Sequence, residues 1–250
     1  MRRPFFAILG GMGSIATESY IRQLNQAAQA QVDQDFFDYV VFNDAGVYDR
    51  TEYILNRSDE DPFPVMADDV RRAEAIGAQF IVLTCNTAHY FFDRLQALTE
   101  VPILHMPRLA VQWAQQNFPA EDHPKMMFLG TSGSVKAGVY RHIIESSGYT
   151  YLQPSASDQK RVDDLIYREV KSGGRLSDKN YRRLLKEFLD PAGSYKADVV
   201  VLGCTELSVL NDAFPSPEMA LVDAQGVLVE QTASKARELR QQENTSRREI

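Results

Sequence analysis

Short apolar runs punctuate the chain at Phe5–Leu9, Tyr39–Phe42, Phe80–Leu83, Pro102–Met106, Met126–Leu129, Tyr149–Leu152, Val199–Leu202 and Met219–Val222. Most lack the alternation of a half-exposed strand and are rich in Val, Ile, Leu and Phe, as strands buried on both faces of a parallel sheet are. Longer stretches between them carry apolar residues at helical spacing. One is Ala16–Ala30; a second runs through Val65, Val70, Ala73 and Ile76 and stops at Gly77; a third runs through Val162, Leu165, Ile166 and Val170 and stops near Gly173 and Gly174. Strand and helix alternate throughout, which predicts a parallel α/β architecture.

The pattern also repeats. Leu9-Gly10-Gly11-Met12-Gly13-Ser14 resembles Leu129-Gly130-Thr131-Ser132-Gly133-Ser134 at an offset of 120 residues. Phe80–Thr87, which contains Cys85, resembles Val199–Glu206, which contains Cys204, at an offset of 119. Two landmarks with nearly one offset predict two pseudo-symmetric lobes, each a parallel sheet flanked by helices, with an active site in the cleft between them. The expected lobes are residues 1–117 plus 212–250, and residues 118–211, with a crossing near Pro119–Pro124. The last strand and final helix are expected to return to the first lobe, and the charged tail after Leu239 to be frayed and solvated.

Composition narrows the partners. The 250 residues are 44% hydrophobic and 24% charged, with a net charge of −7. Lys and Arg number 27 and are scattered among 34 acids, so no nucleic-acid partner is expected. An anionic substrate would need a local positive pocket, because the overall field repels anions. The start, from Met1 and Arg2 to Leu9, reaches Gly10–Gly13 and Glu18 without a cleavage site, so it reads as a first strand and not a targeting segment. No apolar run approaches the ~20 residues of a membrane span. A soluble cytoplasmic protein is expected, and two cysteines make no disulfide scaffold.

Those two cysteines carry the sharpest chemistry. Each follows an apolar strand and precedes a polar, helix-starting sequence, the place where α/β proteins put their sites. A lone Cys is ordinarily a small buried hydrophobe. Two at matching positions of matching lobes point instead to opposed thiols across a cleft. One would remove a proton from one face of a carbon while the other returns a proton to the opposite face, with no redox chemistry, cofactor or metal. An amino-acid α-proton is a weaker acid than a thiol by on the order of ten pK units, roughly 14 kcal/mol. Donors preorganised around the substrate carboxylate must narrow that gap. Asn86, Thr87, Thr131 and Thr205 are candidates, although each also suits a helix cap.

Gly10–Gly13 follows a strand and opens a helix, so Met12 and Gly13 offer backbone N–H groups to an anion. Gly11–Ala16 also fits a dinucleotide fingerprint, but the acid expected about 20 residues on is late, at Asp44. Arg50 and Lys171 are the proposed positive charges, Arg for bidentate carboxylate binding and Lys as a point charge. His89, four residues after Cys85, reads as an orienting or packing residue, since two ligands are too few for a metal.

At these residues the chain resembles the aspartate/glutamate racemase family, aspartate racemase branch. The matching motifs are Gly10–Gly13 with Ala16-Thr17, Asp49-Arg50-Thr51, Cys85-Asn86-Thr87-Ala88-His89 and Gly203-Cys204-Thr205-Glu206-Leu207. The resemblance implies a pyridoxal-independent racemase acting on a small acidic amino acid, a homodimer, with Cys85 and Cys204 as catalytic bases and Arg50 and Lys171 on substrate carboxylates. Glu206 stands where the glutamate branch usually has His, which favours aspartate. The expected substrate-binding set is Met12, Gly13, Arg50, Asn86, Thr87, Thr131, Lys171, Thr205 and Glu206. Racemisation of glutamate or other amino acids is the alternative on the same scaffold. A dinucleotide-dependent oxidoreductase and a non-catalytic acidic amino-acid binding protein are the alternatives of other classes.

Overall fold

A computed structural model describes residues 3–173 and 176–248, with side chains as far as residue 243; Met1, Arg2 and Gly174 lie outside the described residues. All eight apolar runs form strands. The first half holds β1 (Phe6–Gly10), α1 (Ser14–Ala27), β2 (Tyr39–Asn43), α2 (Arg50–Ile54), α3 (Phe63–Ala75), β3 (Ile81–Leu83), α4 (Phe92–Gln96), β4 (Ile103–Leu104) and α5 (Met106–Asn117). The second half opens with β5 (Lys125–Leu129), α6 (Ser132–Ala137), α7 (Arg141–Ser146), β6 (Thr150–Leu152), α8 (Ala156–Asp163) and a π-helical turn over Asp164–Lys171. It closes with α9 (Asp178–Leu189), β7 (Val199–Leu202), α10 (Thr205–Ala213), β8 (Leu221–Asp223) and α11 (Ala224–Arg248). Met106, read as the end of a strand, begins α5 instead, because Pro107 presets the first helical turn and His105 caps it.

The strands form two four-stranded parallel sheets with one topology, β2-β1-β3-β4 and β6-β5-β7-β8. Successive strand residues face opposite cores. Phe6, Ile8 and Val82 of the first sheet, with Phe80 just before β3, share a central core with Met126, Phe128, Val199 and Val201 of the second. Ala7, Leu9, Ile81 and Leu83 face an outer core with Met66 and Val70 of α3. Met127, Leu129, Val200 and Leu202 face the other outer core with Val162, Ile166, Leu184 and Phe188. Both faces of each central strand are therefore apolar, which is why the runs lack polar alternation.

Three expectations change. The last strand does not return to the first lobe: Val200, Val201 and Leu202 of β7 pair with Leu221, Val222 and Asp223 of β8, extending the second sheet. Only the helix that follows crosses back, and α11 packs against α1 and α5. The chain after Leu239 is not frayed but stays helical to Arg248. Leu239 packs on the central core and the Arg240 guanidinium donates to the Asp35 carbonyl (2.7 Å). The third helical stretch changes winding after Asp163. Ser172 N–H bonds the Tyr167 carbonyl, five residues back, at 3.1 Å, the mark of a π turn. Among the described residues no helix is long and apolar enough to cross a membrane.

Candidate active site

Cys85 stands two residues beyond β3 and Cys204 two beyond β7, the equivalent strands of the two sheets. Both are buried and neither is in a disulfide. Cys204 is the N-cap residue of α10. After Cys85 the chain forms a 3₁₀ turn, Thr87–Phe91, before α4. The tighter winding has a visible cause in His89. Met106 N–H donates to its Nε2 (3.1 Å), so the ring proton sits on Nδ1, which donates to the Cys85 carbonyl (2.9 Å). The ring thus ties the Cys85 backbone to the start of α5.

Burial lowers the His89 pKa from 6.5 to about 4, against hydrogen bonds to the backbone that raise it. The unfolded ring protonates near 6.5 while the folded one resists to about 4. The stability it contributes is therefore complete above about pH 6.5 and is lost as pH falls toward 4, on the order of 3 kcal/mol in all. Urea unfolding at about pH 7 and pH 4.5 should show that loss in the wild type and a clearly smaller one in His89→Gln; equal losses would contradict it.

The polar residues after each cysteine cross to the other lobe. Thr87 Oγ1 lies 3.1 Å from Thr131 Oγ1 and 2.9 Å from Ser134 Oγ at the start of α6. The Tyr140 hydroxyl donates to Asn86 Oδ1 (2.6 Å). That bond orients the amide and leaves the buried Nδ2 without a partner. Glu206, two residues past Cys204, makes the pseudo-equivalent crossing to the first glycine loop. A Cβ on Gly13, whose φ is +151°, would stand 2.5 Å from Glu206 Oε1. A Cβ on Gly133 would stand 2.7 Å from Thr51 Cα of α2. Glycine at these two positions lets the lobes close.

A cavity of about 320 Å³ opens between the lobes and is lined by Met12, Gly13, Ile15, Val47, Asp49, Arg50, Val170, Lys171 and Glu206 among others. Of the expected site residues it gathers Met12, Gly13, Arg50, Lys171 and Glu206. Cys85, Cys204, Asn86, Thr87, Thr131 and Thr205 are buried and do not line it. Sequence reasoning missed Asp49, Val47, Val170, Ser134 and Tyr140. The repeat that pairs Ser134 with Ser14 was a usable signal for one of them; nothing local marks Tyr140.

Arg50 is held by three backbone carbonyls. Its Nη1 donates to Val47 (3.0 Å) and Tyr48 (2.7 Å), and Nη2 to Met12 (2.6 Å). Its Nε is buried without a partner. Asp49 caps α2 by accepting from the Thr51 and Glu52 amides. The Lys171 ammonium stands 3.9 Å from Glu206 Oε1 and 4.0 Å from Asp49 Oδ2. Glu206 Oε1 is buried and makes no hydrogen bond. Two cations and two carboxylates leave the cavity near neutral, with polar valences open on both signs.

The Cys204 thiol donates to Glu206 Oε2 at 2.9 Å. Its pKa is pushed well up, first by burial and next by the Glu206 charge; Lys171 opposes the rise, and the Glu206 hydrogen bond and the nearby Cys85 add to it. Cys204 is therefore held protonated. Among the described residues no group of three or more His, Cys, Asp and Glu side chains is placed to hold a metal. The Glu206 carboxylate against Gly13 also repels the phosphate that a dinucleotide would bring to that loop.

The family model for Asp/Glu/Hydantoin racemase matches residues 9–232. The broad specificity amino-acid racemase RacX of Bacillus subtilis is 25% identical over 241 residues, which is 91% of this chain and 96% of that protein. The fold is that of the Picrophilus torridus aspartate racemase, at a TM-score of 0.77 and 22% identity over 95% of this chain and 99% of that one. The Campylobacter jejuni glutamate racemase has a TM-score of 0.61 at 16% identity, over 92% of this chain and 85% of that one.

Proposed function

The chain belongs to the Asp/Glu/Hydantoin racemase family and is an amino-acid racemase, and from that premise we propose that it interconverts L- and D-aspartate without a cofactor by two-base proton transfer at Cα. The observation that carries the reading is the pair of buried thiols at equivalent strand ends of two sheets with one topology. With Cys204 held protonated beside Glu206, Cys85 removes the α-proton from one face and Cys204 delivers its own to the other. The proton taken stays on Cys85, so the two sulfurs exchange roles and the opposite enantiomer is served by the reverse sequence.

The open valences suit an amino acid. Arg50 Nε–H and Asn86 Nδ2–H lack acceptors, while Glu206 Oε1 lacks a donor. Carboxylate oxygens complete the first two and the α-ammonium completes the third. Donors at the α-carboxylate strengthen as carbanion charge flows into it, which lowers the barrier and not only the binding free energy. Lys171, which stands 4.0 Å from Asp49 and 3.9 Å from Glu206 without a hydrogen bond to either, meets the distal carboxylate. Substrate reaches the thiols as the lobes part on the Lys171 side, where cross-cleft contacts are long, while the bonded hydroxyls around Thr87 hold the other side. The apolar lining of Met12, Ile15, Val47 and Val170 favours a second reading, a wider range of side chains.

Chiral chromatography of L-aspartate, L-glutamate and L-alanine incubated without added cofactor tests this. Aspartate should racemise fastest. Preference for alanine would replace the acidic reading with the wider one, and no turnover of any would overturn both.

We propose also that two copies pair along the open edge of β2, where Phe36, Val40 and Ile76 are exposed. An unpaired strand edge flanked by apolar side chains is readily covered by its own two-fold copy. Light scattering should give twice 28.2 kDa, and Val40→Lys should shift the mass toward one copy; a monomeric wild type would refute the pairing.

A further inference from the structure

The π-helical turn carries a side chain that proton transfer leaves unused. The Tyr167 hydroxyl is buried beside the Thr51 side chain of α2. Burial first, and then the charge of Asp49 in the other lobe, keep it un-ionised. Four residues on, the Lys171 ammonium stands 4.8 Å from the centre of the Tyr167 ring, within cation–π reach. Its contacts to Asp49 and Glu206, at 4.0 and 3.9 Å, are too long for hydrogen bonds. The ring is thus the surface that defines where this ammonium stands. The wide winding from the Tyr167 carbonyl to the Ser172 amide keeps both residues in one turn, and π turns concentrate at functional sites.

We propose that Tyr167 is a positioning residue that holds the Lys171 ammonium at the cavity for the distal carboxylate of a dicarboxylic substrate, and so sets the preference for acidic over neutral side chains. This rests on the racemase reading. The ring does the holding and the hydroxyl does not, so Tyr167→Phe and Tyr167→Leu separate the two. Tyr167→Leu should raise KM for aspartate about tenfold, leave kcat within about twofold and leave the kinetics of alanine unchanged. Tyr167→Phe should match the wild type within about twofold. In a Lys171→Met background the Leu substitution should add nothing. Competitive acetylation of Lys171, read by mass spectrometry without substrate, should be several-fold faster in Tyr167→Leu than in the wild type or Tyr167→Phe. Equal labelling in all three, or an undiminished KM effect in the Lys171→Met background, would overturn the proposal. If aspartate is not turned over at all, the racemase reading falls while the labelling still decides whether Tyr167 holds Lys171.

Discussion

Cys85→Ala and Cys204→Ala should each lower kcat for aspartate racemisation by about 10³- to 10⁴-fold, the upper part of what a positioned acid or base contributes. Each enantiomer needs one sulfur as base and the other as acid, so neither direction survives the loss of either. The losses should not add in the double variant, because the first already breaks the relay. KM should move little, since the carboxylates are bound by Arg50, Asn86 and Lys171. Both sites are buried, and deleting one sulfur leaves a small void costing on the order of 1 kcal/mol, so both variants should fold, with circular dichroism as the check. A single variant with full activity in both directions would refute the two-base assignment.

Arg50→Met should lower kcat/KM by about 10³-fold, on the order of 4 kcal/mol. Three of its donor contacts are spent on the carbonyls of Met12, Val47 and Tyr48, which fixes the guanidinium before substrate arrives. A donor fixed in advance reorganises little as charge grows on the α-carboxylate. The loss should therefore fall on kcat as well as on KM, and Arg50→Lys should recover little, because a point charge cannot reproduce the planar fork. Steady-state kinetics on aspartate decide this. A loss confined to KM would mean that Arg50 only binds.

Much of the fold was readable because burial on two faces leaves a plain mark. Ile81-Val82-Leu83 and Val199–Leu202 are continuous apolar runs since alternate residues enter different cores. The repeat foretold one topology used twice. The placement of β8 was not readable: Leu221 and Val222 suit an edge of either sheet, and pairing with Val200 and Val201 is a tertiary choice. The π turn was hidden too, because its apolar spacing is also compatible with ordinary helical winding.

At the site, the cysteines were marked by position and repetition, whereas Arg50 and Lys171 stood out among 27 basic residues only through resemblance. The bond from Cys204 to Glu206 was beyond reach of spacing, since residues two apart at a helix start ordinarily point apart. Tyr140 reaches Asn86 from 54 positions away in sequence, and no local pattern encodes such a contact.

The isotope content of the first product formed in heavy water probes the opposed thiols most directly. L-aspartate turned over briefly in D₂O should yield D-aspartate carrying one deuterium at Cα from the earliest turnovers, while unreacted L-aspartate stays protiated, because the sulfur that gives the hydrogen is not the one that took it. Early D-aspartate that keeps the substrate's own protium would mean that a single group serves both faces.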